Sequence, residues 1–337
     1  VNRVHFVTSV LWRLRHSGAQ ASLFALTTFT MSTPNTLPLN AAHVALQFAR
    51  RGDLSAAQFL YGEVARRMDE RLRLVRLQPE HILDAGCGAG QQIALLHSRY
   101  PAARYVGQDH TAVLLGYAQQ EAKKYFSTGW RQKLAQWRGA PAQTQWLKTD
   151  LANTGLLPES LELVWSNLAL HWHAAPHDVL QEWGRILRVN GLVFFSCFGP
   201  ATLQEVRAAA QQAGLQTVTP SFVDMHDFGD LLIEKGFADP VMDQEVLTLT
   251  YATPEKLLAD VKALGGNPSI GRRPGLLGRD RYQRLLAALE RQRKDDGRLH
   301  LTVEVAYGHA WRSSTLRTTP GETRISVSAI TRGAPAR

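Results

Sequence analysis

The stretch Ile82-Leu83-Asp84-Ala85-Gly86-Cys87-Gly88-Ala89-Gly90 decides the fold of this chain. The apolar run ending at Ala85 predicts a short buried strand over His81–Ala85, and the pattern that follows predicts a helix over Ala89–Ser98. Glycines in such a bend let the backbone approach a ligand closely and present helix N-terminal amides to it. This glycine turn, residues 86–90, therefore predicts a ligand-binding site between a strand and a helix.

Two common glycine motifs do not match the glycine turn. The dinucleotide fingerprint G-x-G-x-x-G requires a third glycine at position 91, where this chain has Gln91. The phosphate-binding loop G-x-x-x-x-G-K-[ST] is absent because no Lys-Ser or Lys-Thr pair follows the glycines. The sequence therefore disfavours a nicotinamide or flavin site and a nucleoside-triphosphate site.

Strand and helix patterns alternate on both sides of the glycine turn. Further strands are predicted at Tyr105–Asp109, Thr144–Lys148, Glu162–Ser166, Leu192–Cys197, Glu245–Tyr251 and Leu301–Tyr307. Helices are predicted at Ala41–Ala49, Ser55–Leu74, Ala112–Phe126, His177–Leu187, Leu203–Ala213, Met225–Lys235, Pro254–Leu264 and Asp280–Arg291. Strands that alternate with helices are typical of a parallel sheet covered on both faces. We predict an α/β fold with a doubly wound, seven-stranded, mostly parallel sheet, N-terminal helices and a small helical cap at about residues 252–298.

The ends of the chain differ in composition from the body. The 337 residues carry a net charge of +9, of which residues 1–30 supply +3 and residues 312–337 supply +4, so the body carries +2. We expect residues 1–40 to be an N-terminal extension, disordered or upstream of the true start, and 312–337 to be a disordered basic tail. We expect residues 41–311 to form one catalytic domain.

The composition excludes several classes of protein. A near-neutral body disfavours a nucleic-acid-binding face, which requires clustered Lys and Arg. No apolar run approaches the roughly 18 residues of a membrane span. The two cysteines, Cys87 and Cys197, have no metal-binding or disulfide spacing, so we expect them to be buried thiols. These features predict a cytoplasmic protein without a metal site.

The pattern Asp84-x-Gly86-x-Gly88-x-Gly90 resembles the first motif of the class I S-adenosylmethionine-dependent methyltransferases. Matching acids end the next two predicted strands, at Asp109 and Asp150. The resemblance implies S-adenosylmethionine as cofactor. It implies that Asp84, Gly86, Gly88 and Gly90 of the first motif contact the cofactor, and that Asp109 accepts the ribose hydroxyls. It also implies that Asp150 and Leu151 contact the adenine and that the strand exit containing Asn167, itself a cofactor-binding candidate, faces the methyl group.

A narrower resemblance covers roughly residues 41–311. Six segments resemble the malonyl-acyl-carrier-protein O-methyltransferase family of biotin synthesis: 48–51, 163–172, 195–203, 264–267, 275–279 and 307–311. Three features depart from that family's pattern, at Glu162, at Val189-Asn190-Gly191 and in an apparent insertion over 128–143. The resemblance implies methyl transfer to the free carboxylate of a malonyl thioester on acyl carrier protein or coenzyme A.

Substrate-contacting residues are less specific in the sequence. Tyr61, Asn167, His171 and Trp172 are candidates to line the substrate channel, and a packed, non-catalytic role is equally open for His171. A cation of the cap is expected to bind the substrate carboxylate, with Arg272, Arg273 and Arg279 as candidates. The segment between Arg272 and Arg279 is also a candidate surface for an acidic carrier protein.

Four alternatives remain open from the sequence. One is a carboxyl methyltransferase for a small free acid such as aconitate. A second resembles the complex I assembly factors that hydroxylate arginine, and a third is a cofactor-binding protein without catalysis. The last is a basic nucleic-acid binder, whose affinity would have to persist without residues 1–30 and 312–337.

Overall fold

A mixed seven-stranded sheet forms the centre of the chain. The computed structural model describes residues 36–126, 143–215, 219–272, 275 and 277–314. The strands are β1 His81–Ala85, β2 Arg104–Asp109, β3 Thr144–Lys148, β4 Leu161–Asn167, β5 Leu187–Phe198, β6 Phe237–Tyr251 and β7 Leu299–Arg312. Their order is β3-β2-β1-β4-β5-β7-β6. The first five strands pair in parallel, and β7 runs antiparallel to both β5 and β6. The predicted fold class is confirmed.

Helices cover both faces of the sheet. They are α1 Ala41–Ala49, α2 Gln58–Leu72, α3 Ile93–Arg99, α4 Ala112–Ala122, α5 Pro176–Ile186, α6 Gln204–Gln212, α7 Met225–Glu234, α8 Pro254–Leu264 and α9 Arg279–Glu290. Buried residues of α2, α3 and α4 pack against Trp165 and Phe194 on one face. Residues of α5 and α7 pack against Val164 and Phe195 on the other face. Because both faces are covered, β4 and the second half of β5 consist almost entirely of buried residues.

The helix after β1 begins later than the sequence predicted. The predicted start at Ala89 is wrong, and α3 begins at Ile93. The physical reason is the backbone of the glycine turn, where Gly86, Gly88 and Gly90 have φ values of 76°, 56° and 85°. These positive values are incompatible with a right-handed helix. The turn therefore leaves a longer non-helical segment between β1 and α3.

The last two strands are longer than the sequence predicted. β6 and β7 pair along almost their full lengths, and β6 alternates between exposed and half-buried residues because it lies at the sheet edge. Their connection contains α8 and α9, so the antiparallel pair is interrupted by helices. No helix in the described part of the chain combines the length and apolar character needed to cross a bilayer.

The boundaries at the ends also need correction. The expected extension 1–40 includes residues that pack on the domain, since the Leu37 N–H donates to the Ala174 carbonyl and Leu39 is 5% exposed. Arg312, assigned to the tail, is the last residue of β7. The rest of both predicted end segments, residues 1–35 and 315–337, lies outside the described residues, as do residues 127–142, which contain most of the apparent insertion.

Candidate active site

A cleft opens where the parallel strands end at their carboxyl termini, the usual ligand position in open α/β sheets. Its walls come from the glycine turn, the ends of β2, β3 and β4, and helices α1 and α2. The lining residues are Ala41, Val44, Phe48, Leu54, Tyr61, Gly86, Cys87, Gly88, Gln91, Gln92, Asp109, His110, Asp150, Leu151, 167–169 and 172–174.

The glycine turn is held by close packing on two sides. A Cβ at Gly86 would lie 2.3 Å from the Cβ of Ala169, in the segment after β4. A Cβ at Gly90 would lie 2.9 Å from the Cα of Ala118 in α4. Gly86 and Gly88 line the cleft, whereas Gly90 is not among the lining residues. The prediction that Gly90 contacts the cofactor directly is therefore not supported. Its lack of a side chain instead allows the glycine turn to pack closely against α4.

Asp109 places a carboxylate in the cleft wall next to the glycine turn. Its Oδ2 accepts a hydrogen bond from the Gly88 N–H at 3.1 Å, and its Oδ1 accepts one from the Thr111 N–H at 2.7 Å. Burial raises the pKa of Asp109, and the neighbouring His110 and these two N–H groups oppose that rise. Each carboxylate oxygen has a further lone pair available. The carboxylate can therefore accept two more hydrogen bonds, which suits a vicinal pair of ligand hydroxyls.

Asp84 does not belong to the cleft wall. Its side chain is 1% exposed, and the Tyr105 hydroxyl donates to its Oδ2 at 2.6 Å. Burial raises the pKa of Asp84 to about 7, although the Tyr105 hydrogen bond opposes this rise. The prediction that Asp84 contacts the cofactor directly is therefore not supported, since this side chain is satisfied inside the core.

Asp150 and His173 form a polar pair at the mouth of the cleft. The Ala175 N–H donates to His173 Nδ1 at 3.0 Å, which leaves the proton of a neutral ring on Nε2. His173 Nε2 can then donate to Asp150 Oδ1, also at 3.0 Å. This hydrogen bond lowers the pKa of Asp150, so the carboxylate is ionised at neutral pH. The side chain of Asp150 is 55% exposed, so its free oxygen can accept a ligand's N–H groups.

Tyr61 and Asn167 join the cleft to the cap. The Tyr61 hydroxyl donates to the carbonyl of Leu264 at the end of α8, at 3.1 Å. Asn167 Nδ2 donates to the Tyr61 carbonyl at 3.0 Å, and Ser196 Oγ donates to Asn167 Oδ1 at 2.9 Å. Burial raises the pKa of Tyr61 to about 12, so its phenol is neutral. These bonds fix two of the predicted channel residues in the wall.

Trp172 forms the aromatic part of the same wall. Its ring meets Phe48 edge to face, with ring centroids 5.8 Å apart. A Cβ at Gly265, directly after α8, would lie 2.1 Å from the Trp172 ring. The glycine therefore allows the backbone after α8 to approach the indole closely. Phe48 and Trp172 make this end of the cleft aromatic.

Comparison with known proteins decides the family. The sequence profile of the methyltransferase domain matches residues 83–195. The chain is 43% identical over 257 residues to the malonyl-[acyl-carrier protein] O-methyltransferase of Laribacter hongkongensis, which covers 76% of this chain and 84% of that protein. It is 40% identical over 258 residues to the enzyme of the same name from Gallionella capsiferriformans, with 76% and 85% covered.

This chain belongs to the malonyl-[acyl-carrier protein] O-methyltransferase family. Among solved structures, a methyltransferase-like protein of Bacillus halodurans superposes with a TM-score of 0.50 at 14% identity, covering 73% of this chain and 99% of that one. That likeness concerns the fold only. The predictions of a methyltransferase, of this family and of S-adenosylmethionine as methyl donor are confirmed.

The methyltransferase cleft contains most of the residues expected from its sequence. The predicted residues that line the cleft are Gly86, Gly88, Asp109, Asp150, Leu151, Asn167, Tyr61 and Trp172. The cap arginines do not. Arg272 Nη2 lies 3.4 Å from His43 Nδ1, outside the wall, and Arg279 is exposed at the start of α9. Arg273 lies outside the described residues. The structure therefore does not support a described cap arginine as the group that binds the carboxylate.

His171 is a core residue of the methyltransferase domain and not a channel residue. Its side chain is 2% exposed and packs against Trp172, Phe198 and Phe222. The Phe198 N–H donates to its Nδ1 at 3.4 Å. Burial lowers the pKa of His171 to about 3, so the ring is neutral at pH 7. Proton transfer through this imidazole is therefore not supported.

The buried imidazole makes stability depend on pH. Below about pH 6.5 the unfolded chain protonates His171 and the folded chain does not, so stability is lost as the pH falls from about 6.5 towards 3. Between pH 7 and pH 5 we expect the wild type to lose about 2 kcal/mol more unfolding free energy than His171→Gln. Urea titrations at both pH values measure the difference. Equal losses in the two proteins would contradict the assignment.

Several cleft residues were missed by the sequence analysis. They are Phe48 of α1, Leu54, the pair Gln91 and Gln92, His110, and His173. His110 directly follows Asp109 and His173 directly follows Trp172, so adjacency to a predicted site residue was a usable signal. Gln91 has a clear role, since its Nε2 donates to the Asp53 carbonyl at 2.7 Å and ties the N-terminal segment to the glycine turn. The remaining residues reach the cleft only through tertiary packing.

One group of the described residues has the composition of a metal site, at the amino-terminal ends of β1 and β4. Glu80, His81 and Glu162 place their ligand atoms within 4.8 Å of one another. The Glu162 carboxylate already has two partners. It forms an ion pair with Arg188 and accepts a hydrogen bond from the His81 backbone N–H at 2.8 Å. An ion pair satisfied in this way explains the cluster without a metal ion.

Proposed function

We propose that this chain transfers a methyl group from S-adenosylmethionine to the free carboxylate of a malonyl group carried on acyl carrier protein, an early step of biotin synthesis. The products are the malonyl methyl ester and S-adenosylhomocysteine. Membership of the family supports the reaction. The observation that carries the proposal is the Asp109 carboxylate, which is buried beside the glycine turn and retains free acceptor capacity in the cleft wall.

The cleft fits the methyl donor. Asp109 would accept the two ribose hydroxyls, since its oxygens each hold one backbone N–H and can accept another donor. Asp150, held by His173, would accept the adenine amino group, and Leu151 would contact the base. Gly86 and Gly88 line the cleft, where a glycine backbone can approach a ligand closely. When bound, S-adenosylmethionine supplies an electrophilic methyl group on a sulfonium centre.

The acceptor requires no general base. A carboxylic acid with a reference pKa near 4 is ionised at pH 7 and presents a nucleophilic oxygen directly. This agrees with the described residues of the cleft, where the Tyr61 phenol is neutral and already donates to Leu264. The contribution of the chain is to align the acceptor and exclude water. Alignment of this kind can supply about 7–11 kcal/mol of the barrier reduction.

A carrier protein is the proposed partner, and the surface of the cap supports this. Helix α9 places Arg279 and Arg284 in exposed positions, with Arg281 half-buried between them. Among the ion pairs of the described residues, none involves these three side chains. Unpaired exposed cations attract an acidic protein, and such steering weakens as salt is added.

An acceptor panel tests the proposed function. The purified protein is incubated with methyl-labelled S-adenosylmethionine and, separately, with malonyl-acyl carrier protein, malonyl-coenzyme A, free malonate or free aconitate. We expect base-labile label on the malonyl thioesters, with the highest kcat/KM for the carrier protein, because an acidic protein can contact the exposed arginines of α9 while its malonyl group enters the cleft. Labelling of a free acid alone would replace the proposal with the small-acid alternative.

A further inference from the structure

Asp150 has one occupied and one free carboxylate oxygen at the mouth of the cleft. Its Oδ1 accepts hydrogen bonds from the Ala152 N–H at 2.8 Å and from His173 Nε2 at 3.0 Å. Its Oδ2 has no hydrogen-bond partner among the residues that the structure describes. Because the side chain is 55% exposed, burial does not hold the carboxylate in one orientation. The two bonds to Oδ1 therefore decide where Oδ2 points.

The ring of His173 is held on its other side by the backbone. Its Nδ1 accepts the Ala175 N–H at 3.0 Å, so a neutral ring carries its proton on Nε2 and donates it to Asp150. The next residue along the chain is also fixed, since the Ala174 carbonyl accepts the Leu37 N–H at 2.6 Å. The imidazole is therefore held in place before any ligand binds, with its donor directed at the carboxylate.

The backbone of Asp150 is fixed without the help of His173. The Asp150 carbonyl accepts the Asn153 N–H at 3.1 Å and Nε2 of Gln108, a fully buried residue of β2, at 2.7 Å. Gln108 precedes Asp109, the proposed ribose acceptor, and its own carbonyl accepts two N–H groups of the glycine turn at 2.9 Å. Loss of the His173 bond should therefore change the orientation of one carboxylate and leave the ribose side of the cleft in place.

We propose that His173 is a positioning residue that orients Asp150 Oδ2 towards the amino group of the bound adenine. The inference rests on the proposed adenine contact of Asp150 and adds the residue on which that contact depends. Both side chains line the cleft, so the pair lies where the ligand binds. An acceptor that is already oriented avoids the entropic cost of ordering an exposed side chain during binding. His173 thereby favours adenine over bases that lack the 6-amino group.

Two substitutions separate the two hydrogen bonds of the His173 ring. In His173→Asn the side-chain carbonyl can accept the Ala175 N–H in place of Nδ1, but no donor remains for Asp150. In His173→Gln the amide nitrogen can take the place of Nε2 and donate to Asp150. His177→Asn is the matched control. The His177 side chain is 19% exposed, as that of His173 is, and it also pairs with an aspartate, Asp178, but it does not line the cleft.

The test compares two ligands that differ in the 6-amino group. Each full-length protein is titrated calorimetrically with S-adenosylhomocysteine and with its analogue in which hydrogen replaces that group. We expect His173→Asn to weaken S-adenosylhomocysteine binding by about 5- to 10-fold and to bind the analogue within about twofold of wild type, because only the first ligand uses Asp150 Oδ2. His173→Gln should recover most of the lost affinity. His177→Asn should bind both ligands as wild type does.

Three results would overturn the role of His173. The first is an unchanged affinity of His173→Asn for S-adenosylhomocysteine. The second is an equal loss for both ligands, which would indicate a direct contact with the base or a general change of the cleft. The third is a larger loss in His173→Gln than in His173→Asn, which would show that the bond to Ala175 matters and the bond to Asp150 does not. The ratio of the two affinities is taken within each protein, so a general loss of stability does not mimic the expected result.

Asp150→Ala separates this inference from the adenine contact on which it rests. If Asp150→Ala prefers S-adenosylhomocysteine over the analogue as strongly as wild type does, the adenine contact is wrong, and so is the inference. If Asp150→Ala loses that preference and His173→Asn keeps it, the contact is correct and the role of His173 is wrong. These titrations require no methyl acceptor, so they give the same answer whether or not malonyl-acyl carrier protein is the substrate.

Discussion

Asp109→Ala is expected to reduce the affinity for S-adenosylhomocysteine by about 100-fold or more. In the proposed ribose contact, the substitution removes two hydrogen bonds to a charged acceptor, each of which contributes about 1.5–3 kcal/mol. It also leaves the N–H groups of Gly88 and Thr111 without the acceptor that positions them. Isothermal titration at pH 7 measures the change.

Two further variants make the Asp109 result specific. Asp109→Asn keeps one acceptor oxygen and should lose less affinity than Asp109→Ala. Asp230→Ala removes an exposed carboxylate from α7, far from the cleft residues in the fold, and should bind as the wild type does. If circular dichroism shows that Asp109→Ala is folded and its Kd lies within about twofold of wild type, the ribose assignment is wrong.

Gly86→Ala is expected to destabilise the folded protein by about 2–5 kcal/mol. Overpacking of a close contact costs about 1–3 kcal/mol, and the new Cβ would lie 2.3 Å from the Cβ of Ala169. A side chain at φ 76° adds about 1–2 kcal/mol of backbone strain. Urea unfolding measures the loss. Gly116→Ala in α4 is the control, because a Cβ there meets nothing within 4 Å and should stabilise the helix by about 1 kcal/mol.

The partner residue provides a rescue for Gly86→Ala. Combining it with Ala169→Gly removes the clash but not the strain at φ 76°, so the double variant should recover only part of the stability. A single variant with the same urea midpoint as the wild type would show that the glycine turn is not packed against the segment after β4.

The strand ends of the site were predictable because local pattern and sheet geometry agree. Short apolar runs placed β1, β2 and β3, and parallel strands bring their carboxyl ends to one edge. Asp109 and Asp150 therefore reach the same cleft although 41 positions separate them along the chain. Asp84 shows the limit of this reasoning, because the pattern could not indicate that Tyr105 on the neighbouring strand would satisfy its carboxylate.

The wall formed by the N-terminal helices was not predictable in the same way. Its residues come from α1, the turn after α1 and α2, and they reach the cleft only through contacts between distant parts of the chain. The bond from Tyr61 to Leu264 spans 203 positions. The same limit explains why the sequence directed attention to the cap arginines. The basic residues Arg272, Arg273 and Arg279 are visible in the sequence, whereas the position of Arg272 beside His43, outside the cleft wall, appears only in three dimensions.

Backbone conformation and side-chain packing account for two further errors. Ala89–Ser98 has the composition of a helix, but the positive φ values of Gly88 and Gly90 delay the helix to Ile93. His171 follows the exit of β4, as catalytic residues often do, yet its neighbours Phe198 and Phe222 enclose it. Neither the glycine conformations nor the aromatic enclosure can be read from composition.

Methylation of malonyl-acyl carrier protein at its free carboxylate can be measured by intact mass after incubation with the enzyme and S-adenosylmethionine. We expect the malonylated carrier protein to gain one CH₂ unit, and we expect Asp109→Ala to slow this gain greatly. A malonylated carrier protein of unchanged mass, although the enzyme is folded and binds S-adenosylhomocysteine, would show that this acceptor is not methylated.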